Sequence, residues 1–163
     1  MSDGGAAFVI SRERTGDAGV RIRGCAQAHT HQHVTAAPAL SALGAEISVA
    51  RAKEATGLAI SDVRYAAIYD SFTITLAMLL EDLGLAGRGD AAARVRSGHF
   101  SRDGARPLNT HGGLLSYGHC GVGGAMAHLV EAHLQMTGRA ATRQGRDASI
   151  ALLHGDGGVL SSH

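Results

Sequence analysis

Apolar stretches of strand length alternate with stretches of helical period along the 163 residues, which predicts an α/β layered domain. Two further features agree. The chain closes on a tight Gly155-Asp156-Gly157-Gly158 turn set between two apolar runs. Residues 72–83 are apolar on every side of a helical cylinder, which marks a helix enclosed by other layers. The length suits a single domain, 1–163, with a real core.

In chain order, the first apolar run is Ala6-Ala7-Phe8-Val9-Ile10, followed by a turn at 15–19. Residues 20–28 set Val20, Ile22 and Gly24 against Arg21, Arg23 and Cys25, the two-residue period of a strand. His29, His31 and His33 follow at alternate positions, a candidate metal set if the segment is extended. No carboxylate or cysteine stands beside them, and no metal site is assigned. Over 41–56, Leu43, Ile47, Ala50 and Ala55 recur at helical spacing, and Gly57 ends the helix. Ile60-Ser61-Asp62 reads as a turn and 63–68 as a buried strand.

The enclosed helix opens at Tyr69-Asp70-Ser71-Phe72, with Asp70 or Ser71 as its cap, and runs to Leu83 before Gly84. Residues 87–107 form a polar, arginine-rich excursion with a short helix near 90–96. A further helix spans 125–137, closed by Gly138, with Met126, Leu129, Val130, Leu134 and Met136 as its buried face. After a polar 143–147, residues 148–153 read as an apolar strand, and Val159-Leu160 starts another.

Composition removes several classes. With 45% hydrophobic residues, 4% aromatics and no Trp, the core is aliphatic and alanine-rich. The formal charge is +1 and the arginines are dispersed, which argues against a nucleic-acid binder. No apolar run approaches the length of a membrane span, and the first residues lack the pattern of a secretion signal. A cytoplasmic location is expected. Cys25 and Cys120 are too far apart in sequence for a CxxC signature.

Chemistry concentrates in Asn109-Thr110-His111-Gly112-Gly113-Leu114-Leu115-Ser116-Tyr117-Gly118-His119-Cys120-Gly121-Val122-Gly123-Gly124. Glycines at this density bury no side chain and cost backbone entropy, so they belong where the chain turns sharply or meets a ligand. The helix behind them offers free N–H groups to an anion or a developing oxyanion.

Three motifs in order carry a resemblance: Tyr69-Asp70-Ser71-Phe72, then the 109–119 stretch ending Tyr117-Gly118-His119, then Gly155 through His163. Together they resemble the C-terminal half of the thiolase superfamily, in particular its sterol-carrier-type, lipid-transfer-like branch. Met1-Ser2-Asp3-Gly4-Gly5-Ala6-Ala7 is similar to a segment near the start of that half. The resemblance implies a layered α-β-α fold with a mixed five-stranded sheet and one buried central helix. It also implies that the N-terminal half, with the family's nucleophilic cysteine, is absent from this chain. A partner is then needed: the N-terminal half, a homodimer mate, or additionally a small OB-fold protein.

The resemblance assigns His119 to the histidine that activates the nucleophile, where a following helix favours a neutral, proton-accepting ring. Asp70, Asn109, His111, Gly112, Gly118 and Gly157 are the implied substrate-binding positions. Three departures stand out. Cys120 replaces a common Pro, Tyr69 and Ser71 replace the residues that open the buried helix, and Leu153-His154-Gly155 stands where many members have Cys-x-Gly.

Without that acid/base cysteine, Tyr69, Tyr117 and His119 are expected to converge on a glycine-lined pocket, with Cys120 as a possible substitute. Such a site suits retro-aldol cleavage of a β-hydroxyacyl-CoA, which needs a base and oxyanion donors but no cysteine. Either tyrosine is a candidate base. Acyl transfer is the competing reaction, and coenzyme A enters only as part of the substrate, with no bound cofactor. A non-catalytic acyl-CoA or lipid-binding subunit is the alternative of a different class.

Overall fold

The computed structural model describes residues 3–13, 19–39, 43–157 and 160–163. Two parallel strands, β1 (Tyr65–Ile68) and β2 (Ala151–His154), pair in the register Tyr65↔Ala151 to Ile68↔His154. Side chains alternate across β1, as the pleat requires. Ala66 and Ile68 join the core formed by α1 (Gly44–Thr56), α2 (Thr73–Asp82) and α3 (Ala91–Arg96), with Val49, Leu79, Leu80 and Phe100. Tyr65 and Ala67 face the other way, toward Ala132 and Met136 of α5 (Met126–Met136). The result is the layered α-β-α arrangement.

Local signals place most boundaries. Gly57 closes α1 in the left-handed region (φ 68°), and its N–H donates to Lys53 O at 2.8 Å. Ile60–Asp62 is a 3-10 turn, and a short helix does interrupt the arginine-rich excursion. The turn expected at 15–19, the start of the 41–56 helix and the strand begun at Val159 lie wholly or partly outside the described residues.

Six expectations are corrected. Among the described residues the sheet has two strands rather than five, extended only by a single parallel bridge, Ala66↔Leu108. Residues 20–28 form no strand: their alternation has no neighbouring strand to pair with until Ala28, which exchanges backbone bonds with His163 at 2.8 and 2.9 Å. In α1 the buried face is Ala45, Ser48 and Val49, while Ile47 and Ala50 are exposed.

Helix α2 is not enclosed within this chain, since Phe72 and Ile74 are 68% and 66% exposed. Its N-cap is Phe72 without a side-chain bond, so neither Asp70 nor Ser71 caps it. Finally, α5 buries His128, Glu131, Ala132 and Gln135, and leaves Leu129 and Val130 exposed. A polar network, described below, outweighs the apolar stripe there.

Candidate functional site

The site gathers at the carboxyl ends of β1 and β2, where backbone groups run out of sheet partners and open parallel sheets place their ligands. Tyr69 and Asp70 follow β1 directly, and Tyr69 N–H donates to His154 O at the end of β2 (3.1 Å). The loop after Leu108 is pinned to the same edge by Asn109. Its side-chain amide accepts from Ile68 N–H and donates to Ile68 O, both at 2.8 Å. Asn109 therefore anchors the loop through both polar atoms of its side-chain amide.

Asp70 acts on the next turn of that loop. It accepts from the N–H groups of Leu114 (2.7 Å) and Leu115 (3.4 Å), holding the short helix α4 (Gly113–Tyr117). A Cβ at Gly113 would fall onto the Asp70 carboxylate, and Gly113 also has φ 69°, so only glycine fits. Gly112 (φ 105°) is the N-cap of α4 and Gly118 (φ 131°) its C-cap. Gly157 pairs with Ser162 in an antiparallel bridge.

Tyr69 Oη lies 2.7 Å from His119 Nε2, and Gly121 N–H donates to His119 Nδ1 at 3.1 Å. These two contacts assign the tautomer. Nδ1 accepts, so the ring proton sits on Nε2 and is donated to the phenol oxygen. The accepting nitrogen thus faces backbone rather than the site, and a 3-10 turn (Gly121–Gly123) separates His119 from α5. Tyr69 keeps its own hydroxyl hydrogen free to donate. Burial foremost, then the charges of Asp156 and Asp70, push its phenol above the ordinary range. Gly124 fits closely beside this pair: a Cβ there would approach His119 Nε2 to 2.8 Å.

Tyr117 does not join that pair. It is 68% exposed and its ring sits 5.4 Å from His111. Both belong to a cleft of about 300 Å³ also walled by Gly118, Cys120, Glu131 and Arg143. Cys120 is free and half-buried. The expected three-residue convergence is therefore two pairs, Tyr69–His119 and Tyr117–His111. Between them stands His128, 5.1 Å from His111 and 6.4 Å from Tyr69 by ring centroids.

His128, Asp156, Glu131 and Arg143 were not anticipated from sequence. Glu131 and Gln135 lie one helical turn apart on α5, a spacing that offered a signal. Glu131 accepts from Thr110 Oγ1 (2.7 Å), Gln135 Nε2 (3.0 Å) and Arg143 Nη2 (2.9 Å). Burial alone would raise its carboxyl, but these hydrogen bonds, Arg143 foremost, hold it below the usual range. Among the described residues no three His, Cys, Asp or Glu side chains group as a metal site. His29 bonds Ser162 and is exposed, whereas His31 is buried beside Thr30, so the alternating histidines do not share a face.

Burial, then neighbouring His111, lowers the His128 imidazole to about 4, and burial foremost lowers His154 to about 3. For a ring depressed on folding, the stability it contributes is complete above about 6.5 and is lost as pH falls toward the folded value. A thermal-melting series from pH 7 to 4 is expected to show this loss, about 3 kcal/mol from His128 by pH 4. His128→Phe should make the profile shallower while leaving the His154 share in place, and an equally steep one would remove His128 from the explanation.

An α-β-α domain with a Tyr–His pair at the carboxyl edge of its parallel strands and a glycine-rich loop feeding a helix defines the class. The chain belongs to the thiolase C-terminal domain-like family, whose model matches residues 26–163. It is 30% identical over 172 residues to the acetyl-CoA acetyltransferase of Methanothermobacter thermautotrophicus, covering 100% of this chain and 45% of that protein. It is 34% identical over 128 residues to the steroid side-chain-cleaving aldolase of Thermomonospora curvata, covering 70% of this chain and 32% of that one. Among solved structures, an Ltp2-ChsH2(DUF35) aldolase superposes with a TM-score of 0.64 at 26% identity, covering 72% of this chain and 31% of that one. The chain thus spans less than half the length of these relatives. No helix among the described residues is long and apolar enough to cross a membrane.

Proposed function

We propose that this chain is the C-terminal half of a cytoplasmic enzyme that cleaves a carbon–carbon bond in a β-hydroxyacyl-CoA by a retro-aldol step. The observation that carries the reading is the 2.7 Å contact of Tyr69 Oη with His119 Nε2. With its oxygen accepting from His119, the Tyr69 hydroxyl is free to donate to a thioester oxygen as negative charge builds there. Tyr117 takes the β-hydroxyl proton as it passes its own phenolic proton to the neighbouring neutral imidazole of His111, which returns it to the product enolate through the same path. The Cα–Cβ bond then breaks to give a carbonyl product and an enolate thioester, which is protonated at carbon. No cysteine nucleophile enters. The likeness to a steroid side-chain-cleaving aldolase supports this over acyl transfer.

The test is product analysis by mass spectrometry with a steroid β-hydroxyacyl-CoA, using the chain assembled with its N-terminal half. Release of the shortened acyl-CoA is the expected result. Tight acyl-CoA binding without any product would assign a binding subunit instead, and acyl transfer to free CoA would assign a thiolase.

Assembly follows from α2. Phe72 and Ile74 put an apolar patch in water that a partner is proposed to cover, either the N-terminal half or a second copy, with an OB-fold subunit as a further candidate. Ile74→Glu places an unpaired charge in that interface. Co-purification with the N-terminal half is expected to fall at least about tenfold, the ratio for 1.4 kcal/mol. Unchanged recovery would move the interface elsewhere.

A further inference from the structure

Neither ring nitrogen of His111 has a hydrogen-bond partner among the described residues, and both are shut off from solvent. The ring stands at 5.4 Å from that of Tyr117 and at 5.1 Å from that of His128, between centroids. No hydrogen bond therefore fixes the imidazole that the proposed reaction uses. Its placement has to come from the backbone that carries it.

That backbone is a tight turn. Gly112 N–H donates to Asn109 O at 2.8 Å, which makes Thr110 and His111 the two central residues. Asn109 ties the start of the turn to Ile68, and Thr110 ties its middle to α5 and β1. The Thr110 hydroxyl donates to Glu131 Oε1 (2.7 Å) and accepts from Gln135 Nε2 (2.8 Å). Its one hydrogen being given to Glu131, Thr110 Oγ1 accepts from Tyr65 Oη at 3.2 Å. Burial foremost raises the Tyr65 phenol to about 12, so this donor keeps its hydrogen. Tyr65, Glu131 and Gln135 are all buried, and they grip one hydroxyl from two elements. In this turn a residue with all its side-chain hydrogen bonds made holds a neighbour that makes none.

We propose that Thr110 is a positioning residue for the proton step, acting through His111 by locking the turn that keeps the imidazole against Tyr117. The role rests on the use of His111 in the proposed reaction. Valine has the shape of Thr110 without the hydroxyl, and it leaves Glu131, Gln135 and Tyr65 each short of a partner. Serine keeps the hydroxyl.

Labelling with diethyl pyrocarbonate, read histidine by histidine by mass spectrometry on the chain assembled with its N-terminal half, needs no turnover. Its failure is therefore distinct from failure of the proposed reaction. Wild-type His111 is expected to react slowly, with the buried His128 and His154 as references. Thr110→Val should raise the His111 rate at least about tenfold and leave both references unchanged. Thr110→Ser should restore the slow rate. An unmoved His111 rate overturns the proposal. A rise shared by all three histidines overturns it as well, because that is general loosening. If Thr110→Val does not fold, Tyr65→Phe removes one donor to Thr110 with the ring in place. It should raise the His111 rate selectively by a smaller factor, and no rise overturns the proposal. In turnover, Thr110→Val should lower kcat by about a hundredfold, the cost of a displacement near 1 Å, with KM little changed. Thr110→Ser should recover most of it, and wild-type kcat in Thr110→Val overturns the role in the proton step.

Discussion

Tyr69→Phe is expected to lower turnover of a β-hydroxyacyl-CoA by at least about a hundredfold, the lower range for removing a positioned proton-transfer group. The substitution deletes the one oxygen bonded to His119 Nε2 and leaves the ring, with its edge-on contact to His119 at 6.0 Å, in place. Substrate affinity should change little, because an interaction made chiefly in the transition state appears in kcat rather than KM. Steady-state kinetics on the assembled enzyme measure this, and wild-type kcat in the variant would take Tyr69 out of the reaction. Tyr117→Phe is the matched comparison on the cleft side, where the exposed phenol stands against His111.

Glu131→Ala is expected to be the most destabilising of these substitutions, by about 3 kcal/mol, since it breaks a buried hydrogen-bonded ion pair. The Glu131 side chain is 3% exposed while Arg143 is 43% exposed, which keeps the cost at the lower end of that range. Thermal melting should fall by about 6–12 °C for a domain of this size. The pH dependence has a definite sign. Because the folded carboxyl is depressed, its contribution is complete above the ordinary carboxylate range and is lost as pH falls through the folded value. Glu131→Gln retains acceptor and shape and should cost less. Equal melting of Glu131→Ala and wild type would show that Thr110, Gln135 and Arg143 hold the loop without it.

The places where the chain read correctly are those governed by neighbours in sequence. Gly57, Gly84 and Gly138 end helices because each adopts positive φ at little cost, and glycines announce that from sequence. Tyr65–Ile68 reads as buried because a short apolar run between polar neighbours has few other uses, and it is buried throughout, whereas Arg64 before it is exposed. The functional loop announced itself through glycine, histidine and tyrosine crowded together. What misled was period without partner: residues 20–28 alternate like a strand, but alternation makes a strand only where another edge is present to pair.

Sequence by itself determined the layered class and the family, and it named Tyr69 and His119 as members of one site although they stand 50 residues apart. Tertiary structure alone decided which side of α5 is buried, that Asp70 serves α4 rather than α2, and that Tyr117 stands with His111. For the first two the physical reason is the same. A buried carboxylate or imidazole is settled by partners distant along the chain, Arg143 for Glu131 and Leu114 for Asp70, and no helical period encodes who those partners are.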